Sequence, residues 1–506
     1  MLDSPTVSPW RTTVRKTRSC MEPPLSDRAS ETLGSASILR SSVRLRPESK
    51  WEGVAMKRGA WGVIAVVIAL AGLGIFSVQR LEGSAPILVT DEKVVLGPKG
   101  WNLIIDLEDH DSGPRSLQVR LLDQSGSRSL AEKSFPGGSL AGGDSEASRQ
   151  HFELHLDPAD LRVPDGTATL VISARDWSWR DGFAGNRSEL SIPVLVDTRP
   201  PQVALVSGLT YIKRGGSAAA VYRLGEATAQ DGVRVDDIFY PGFPHPSGEE
   251  DLRVALFAVP VEASEQPSIR VVAVDSAGNE GQVRFPARVQ QRIFQQSEIE
   301  IGEPFVERVA TPLAHTAGLP EGDPAETFQG VNEILRGRNE TTIREELAKA
   351  PLGDRRWTGA FRQLPGSAVM SRFAELRNYS LAGQPVSQAR HYGFDLASTA
   401  HAPITAAAAG RVVFAEDLGI YGLCVLVDHG LGLSSLYAHL SEIDVEPGDD
   451  IEGGAILGHS GATGLAGGDH LHFAVLVGGT YVNPMEWWDP KWVRSHIDVR
   501  LKPPRS

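Results

Sequence analysis

The chain has 506 residues, enough for about three or four domains of roughly 100–200 residues each. Its formal net charge of -13 excludes a nucleic-acid binder, because backbone phosphates repel a surface of that sign, and 41% hydrophobic with 22% charged residues describes a mostly globular chain. Only two cysteines occur, Cys20 and Cys424, on opposite sides of one strongly apolar segment, which excludes a disulfide-stapled scaffold.

Residues 1–58 carry more Lys and Arg than Asp and Glu and read as a basic cytoplasmic leader. Met56-Lys57-Arg58 also looks like a natural opening, so residues 1–55 read equally as an extension added ahead of a true start at Met56. Residues 59–78, GAWGVIAVVIALAGLGIFSV, carry no charge, and their length of about 20 residues matches a hydrocarbon core of roughly 30 Å. With Lys57 and Arg58 at its start, the segment is expected to be a transmembrane signal-anchor that exports everything from Gln79 onward. A cleaved signal peptide is the rival. Gly83-Ser84-Ala85 would suit a peptidase, although the apolar run is longer than an ordinary signal core.

Residues 79–200 alternate apolar and polar side chains in short runs such as Leu117-Gln-Val-Arg-Leu-Leu and His151-Phe-Glu-Leu-His-Leu, separated by turn-forming residues. Residues 201–290 repeat the style, with Leu252-Arg-Val-Ala-Leu-Phe and Ile269-Arg-Val-Val-Ala-Val. Period-2 alternation of this kind predicts two antiparallel β-sandwich domains in tandem. Both blocks close alike: Ala174-Arg175-Asp176 precedes Gly185-Asn186, and Ala273-Val274-Asp275 precedes Gly278-Asn279. The second copy weakly resembles a turn of bacterial immunoglobulin-like modules. The acidic residues of both blocks are expected to be solvated surface and not a calcium site, and His151, His155 and His245 receive no function.

Residues 291–381 change character. Asn332-Glu-Ile-Leu and Thr342-Ile-Arg-Glu-Glu-Leu-Ala-Lys-Ala place apolar groups at helical spacing and stop at Pro351-Leu-Gly. A mainly helical connector is expected, which would cover or frame whatever site follows it.

Residues 382–490 are rich in Gly and β-branched residues, in runs too short for helices, and predict a compact antiparallel sheet. Cys424 falls inside one apolar strand and reads as a small core residue. His470 and His472 are two apart on a strand and so leave one face, while Leu471 and Phe473 point into the core. Tyr437 and His439 are expected to share one face of their own strand. His391 and Asp395 bracket Tyr392-Gly393-Phe394, a loop short enough to bring both ends to one point. Imidazole nitrogen and carboxylate oxygen suit zinc, and three protein ligands with an open fourth position would make a catalytic centre. His429 reads as a turn or supporting residue and His401 as exposed. Residues 491–506 read as a C-terminal tail.

His391-Tyr-Gly-Phe-Asp395, Tyr437-Ala-His439-Leu-Ser and His470-Leu-His472-Phe resemble the three signature motifs of the lysostaphin-like (LytM-type, M23) zinc metallopeptidases. Ala408-Ala-Gly410, Asp428-His429-Gly430, Val445-Glu-Pro-Gly448 and Gly458-His-Ser-Gly-Ala-Thr-Gly464 fit too, and the resemblance covers about residues 370–488. It implies that His391, Asp395 and His472 bind zinc. His439 and His470 resemble the two unligated histidines beside the attacking water, with His470 as base and His439 as oxyanion partner by a modest preference. It implies a zinc endopeptidase acting on peptidoglycan stem and cross-link peptides, anchored in a bacterial inner membrane by residues 59–78 with its catalytic domain outside the cytoplasm. Degenerate relatives that only bind cell wall or activate another hydrolase are the alternative, and those typically lack several of these residues.

The chain departs from the family pattern at Gly468-Asp469, where Gly-Pro is frequent, at Ala474, where an acidic residue is common, and at Ala374 in Phe373-Ala-Glu-Leu-Arg377, where glycine is usual. Asp469 is expected to face solvent or to raise the basicity of a nearby imidazole. The fold expectation is thus a multidomain, mainly β chain: transmembrane helix, two sandwiches, helical connector and a C-terminal lysostaphin-like sheet domain.

Overall fold

The computed structural model of the protein describes residues 11–12, 58–144, 148–320, 322–349 and 353–502. Most of the basic leader, the Met56 start and the Pro351 helix stop lie outside the described residues. The chain divides into two compact units, Met1–Thr198 and Arg199–Ser506. It is mainly β, with an N-terminal apolar helix and a C-terminal sheet domain.

In the first unit the helix Arg58–Arg80 contains one stretch, Trp61–Arg80, long and apolar enough to cross a membrane. Its last turn is tied to the fold that follows. The Trp179 amide donates to the Arg80 carbonyl at 2.7 Å, and Phe76 meets the Trp179 ring edge-on. Beyond it, Trp101–Glu108 pairs with Ile87–Thr90 and Arg149–Leu156 in one sheet. A second sheet joins Val94–Leu96, Arg187–Val196, Gly166–Asp176, Pro114–Asp123 and Gly126–Ser134. Alternation turns Leu103, Ile105 and Leu107 inward, into one core with Leu117, Val119 and Leu121.

The second unit opens with another pair of four-stranded sheets, one around Ser217–Leu224 and Leu252–Ala258, the other around Gln230–Val235 and Ile269–Val274. The repeated turn has the same hydrogen bonds in both blocks. Asp176 accepts from the Ser178 and Asn186 amides and from the Asn186 side chain. Asp275 accepts from the Ala277 and Asn279 amides and from the Asn279 side chain. Both aspartates are buried, so the expectation of solvated acids fails at these two positions: their charge is needed inside, to close the turn on its own backbone donors.

Among the described residues the connector is helical over Glu303–Thr316 and Pro324–Lys349, with π-helical turns at Val306–Ala310 and Gly330–Leu335. Its ends are strands. Gln296–Ile301 pairs in parallel with Glu375–Leu381, which pairs antiparallel with Gln384–His391. Partners some 80 residues apart carry no local sign of pairing, which is why the sequence reads as helix throughout.

The C-terminal sheet runs in the order Ala368–Ser371, Phe394–Ala397, Leu471–Val477, Leu433–Ile443, Leu423–Gly430, Gly410–Asp417 and Asp450–Ile451. It thus recruits a strand from ahead of residue 382. Cys424 is buried within it. Residues 491–502 of the expected tail are part of the fold. Val493, Ile497 and Leu501 are spaced four apart on the turns after Pro490–Trp492 and are buried, and the Arg500 carbonyl lies 2.9 Å from His245 Nε2.

Candidate metal centre

His391 ends the strand Gln384–His391, and after the turn at Tyr392-Gly393 the strand Phe394–Ala397 carries Asp395 directly opposite His472 in the ladder. The turn lies against the His472 ring so closely that a Cβ on Gly393 would come within 2.6 Å of Cε1 and Nε2. Only glycine fits there. On the other face of the same strands, Phe394 and Phe473 pack on Trp488, fixing the ladder from behind.

Three ligand-type atoms converge. His391 Nε2 lies 2.9 Å from Asp395 Oδ1 and 2.9 Å from His472 Nδ1, and His472 Nδ1 lies 3.0 Å from Asp395 Oδ1. All three residues are buried. His391 is oriented by its other nitrogen, whose N–H donates to the Arg372 carbonyl at 3.1 Å, leaving Nε2 as a bare acceptor in the neutral ring. Two imidazole nitrogens and a carboxylate oxygen packed this tightly fit a divalent cation of the zinc type. A second cluster, Glu442, Asp444 and His459, is mostly exposed.

His439 and His470 stand beside this cluster, with ring centroids 4.8 Å apart. The structure corrects the expected face of His439. Tyr437 packs in the core against Phe473, yet the His439 ring lies 5.9 Å from that of His472, on the other side of the sheet. A left-handed backbone at His439, with φ of 61°, breaks the alternation between the two. The Nδ1–H of His439 donates to Thr463 O and that of His470 to Gly468 O, both at 2.8 Å. In each neutral ring Nε2 is thus left as the acceptor, and that of His470 lies 3.6 Å from Asp395 Oδ1.

Charge follows from these contacts. Burial would raise the Asp395 carboxyl, but His391, His470 and His472, in the forms that turn a proton toward it, hold it well below the usual carboxylate range. Burial, then the charges of His470 and His472, push His439 down to about 3. A neutral His439 with its Nδ1–H spent on Thr463 cannot donate, which runs against its expected oxyanion role unless it first gains a proton. Burial lowers and Asp395 raises His470, with a net rise.

One supporting group carries no sequence signal of its role. Arg377 Nη2 donates to Asp395 Oδ2 at 2.8 Å and to Ser371 Oγ at 2.7 Å, holding the carboxylate from behind. Ala374, at the position where glycine is usual, adopts the left-handed φ of 65° that explains that preference. Asp469, half-exposed, accepts from Ser460 Oγ and the His401 amide, anchoring the loop before His470. His429 is fully buried between Ala409 O and Ser435 Oγ. The cluster opens into a groove of about 390 Å³, whose opposite wall is the connector, through Ile299, Ile301, Phe305, Phe328 and Arg336. The connector therefore frames the site.

Residues 389–484 match Peptidase family M23. Over 95 residues the chain is 38% identical to the DD-carboxypeptidase/endopeptidase Mpg of Neisseria meningitidis, covering 19% of this chain and 22% of that protein. Over 98 residues it is 36% identical to the peptidoglycan DD-endopeptidase ShyA of Vibrio cholerae, covering 19% and 23%. The catalytic domain of the antimicrobial peptidase lysostaphin from Staphylococcus simulans aligns at 27% identity over 26% of this chain and 98% of that one, with a TM-score of 0.22. The chain spans about a fifth of the length of these two curated relatives.

Proposed function

We propose that the Peptidase family M23 domain at residues 389–484 is a zinc-dependent endopeptidase that hydrolyses peptide cross-links of peptidoglycan. We place it outside the cytoplasm of a bacterial cell, anchored by the single apolar helix at Trp61–Arg80. The observation that carries this reading is the convergence of His391 Nε2, Asp395 Oδ1 and His472 Nδ1 at the floor of a groove. The relatives named as DD-endopeptidases support the substrate class.

In this reading His391, Asp395 and His472 hold the zinc, which supplies Lewis acidity toward a scissile carbonyl and acidity to an attacking water. His470, the less buried of the two remaining rings, takes a proton at Nε2 and returns it to the leaving amine. Its Nδ1–H bond to Gly468 O keeps that nitrogen aimed while the ring changes charge. His439, kept neutral by burial with its Nδ1–H committed to Thr463, presents Nε2 as a second acceptor beside the attacking water, in place of the oxyanion role expected of it. Arg377 keeps Asp395 ionised and fixes one oxygen, leaving the other for the metal.

The test pairs two measurements on the full chain in detergent: zinc content, and release of peptides from purified sacculi. Bound zinc with hydrolysis is the expected result. Bound zinc without hydrolysis, in a chain whose groove is open to substrate, would make this a cell-wall-binding module instead. Reporter fusions near residue 90 test the topology, and should be active only when exported.

A further inference from the structure

Two arginines line the groove, and they differ in what they have left to offer. Arg377 is spent on Asp395, Ser371 and Glu375. Arg336 comes from the connector, at the junction of the π-helical turn Gly330–Leu335 with the helix Arg336–Lys349, an irregularity of the kind that gathers at functional sites. Its Nε donates to Asn332 O at 3.0 Å and its Nη2 to Asn332 Oδ1 at 2.7 Å.

Asn332 is itself only 1% exposed, and its Nδ2 donates to Ser387 Oγ at 2.8 Å. This buried amide thereby ties one edge of the guanidinium to the strand that ends in His391. The opposite edge, through Nη1, makes no hydrogen bond, and Arg336 makes no ion pair among the described residues. Glu340, one turn further along the helix, feels the Arg336 charge but forms no ion pair with it. Glu300, the other carboxylate of that wall, accepts from Ser380 Oγ and the Gly383 amide. A pre-aimed guanidinium edge with two parallel N–H groups is shaped for a carboxylate.

We propose that Arg336 is a specificity-determining residue that receives a carboxylate of the bound peptide, so that the groove selects substrates with a free acid near the scissile bond. This rests on the peptidase reading of the groove. The carboxylate can come from the peptide's C-terminus or from an acidic side chain, and the chemistry at Arg336 is the same.

The experiment uses the zinc-loaded full chain in detergent and two pairs of synthetic D-alanine-containing peptides. One pair differs as C-terminal acid or amide, the other as a Glu or Gln side chain. Dissociation constants and kcat/KM are measured for all four. At least one acid should bind roughly tenfold or more tightly than its amide twin, and the pair that shows this identifies the source. That preference should fall toward one in Arg336→Ala, while Arg336→Lys keeps part of it. Equal binding of acid and amide in the parent, which needs no variant to fold, overturns the proposal. So does a preference that survives Arg336→Ala, or no measurable binding of either acid. Acid-selective binding without any turnover upholds the carboxylate site and sinks the peptidase reading, whereas turnover without acid preference does the reverse.

Discussion

The turns that close the two sandwiches and the cluster on the C-terminal sheet each bury an aspartate, and their surroundings answer that charge in opposite ways. Asp176 and Asp275 draw backbone N–H groups and an asparagine amide from within the same turn, although Asp176 also faces the Glu82 carboxylate. Asp395 meets His391 Nε2 and His472 Nδ1 at 2.9 and 3.0 Å on one oxygen, nitrogens from separate strands that can each turn a lone pair to a cation, and accepts from Arg377 on the other. Glu486 stands between the extremes. It accepts from the Ser217 amide at 3.0 Å, and burial pushes it up to about 7. A buried carboxylate supplied with local donors holds a turn. One packed among acceptors fits a cation.

The sharpest way to break this contrast is to remove a member of each kind. His472→Ala or Asp395→Ala should lower zinc content from about one per chain to near zero and take hydrolysis to background. Elemental analysis of the purified variants decides it, and near-stoichiometric zinc of unchanged affinity in His472→Ala would end the ligand assignment. Asp275→Ala should keep its zinc.

A smaller effect separates the ligands from the histidines beside them. His470→Ala should retain zinc and lose at least about 10²-fold in turnover. His439→Ala should also retain zinc and cost roughly 3–4 kcal/mol in transition-state stabilisation, without additivity between the two. Loss of zinc from His470→Ala would exchange the assignments of His470 and His472.

Smaller still, Asp275→Ala strands its buried turn donors and should destabilise its sandwich by about 2–3 kcal/mol, read as a lower urea midpoint. The least effect concerns Glu486. Its folded-state value of about 7 exceeds the ordinary 4.5, so its contribution is fully present below pH 4.5 and is lost as pH rises through 7. Glu486→Gln should flatten stability across that window and exceed the parent above it by on the order of 1–2 kcal/mol. An unchanged pH profile would remove Glu486 from the comparison.

Local pattern was enough for much of this protein. Uniform apolarity marks Trp61–Arg80, period-2 alternation marks the sandwich strands, and the two-residue spacing of His470 and His472 puts both on one face. His391, Asp395 and His472 were legible as a set because they sit in two short motifs, His391-Tyr-Gly-Phe-Asp395 and His470-Leu-His472. What the tertiary structure decided lies where regular geometry stops or where partners are distant in sequence. A single left-handed residue carries the His439 ring across the sheet, against the alternation that Tyr437 obeys. Gln296–Ile301 becomes a strand only by meeting Glu375–Leu381, and Arg377 acquires its role only by reaching Asp395. Arg336 enters the groove because Asn332, fastened to Ser387 some 55 residues away, turns it there. Alternation and helical spacing report which face a residue takes on a regular element, whereas a bulge or a long-range contact exists only once separate segments have packed.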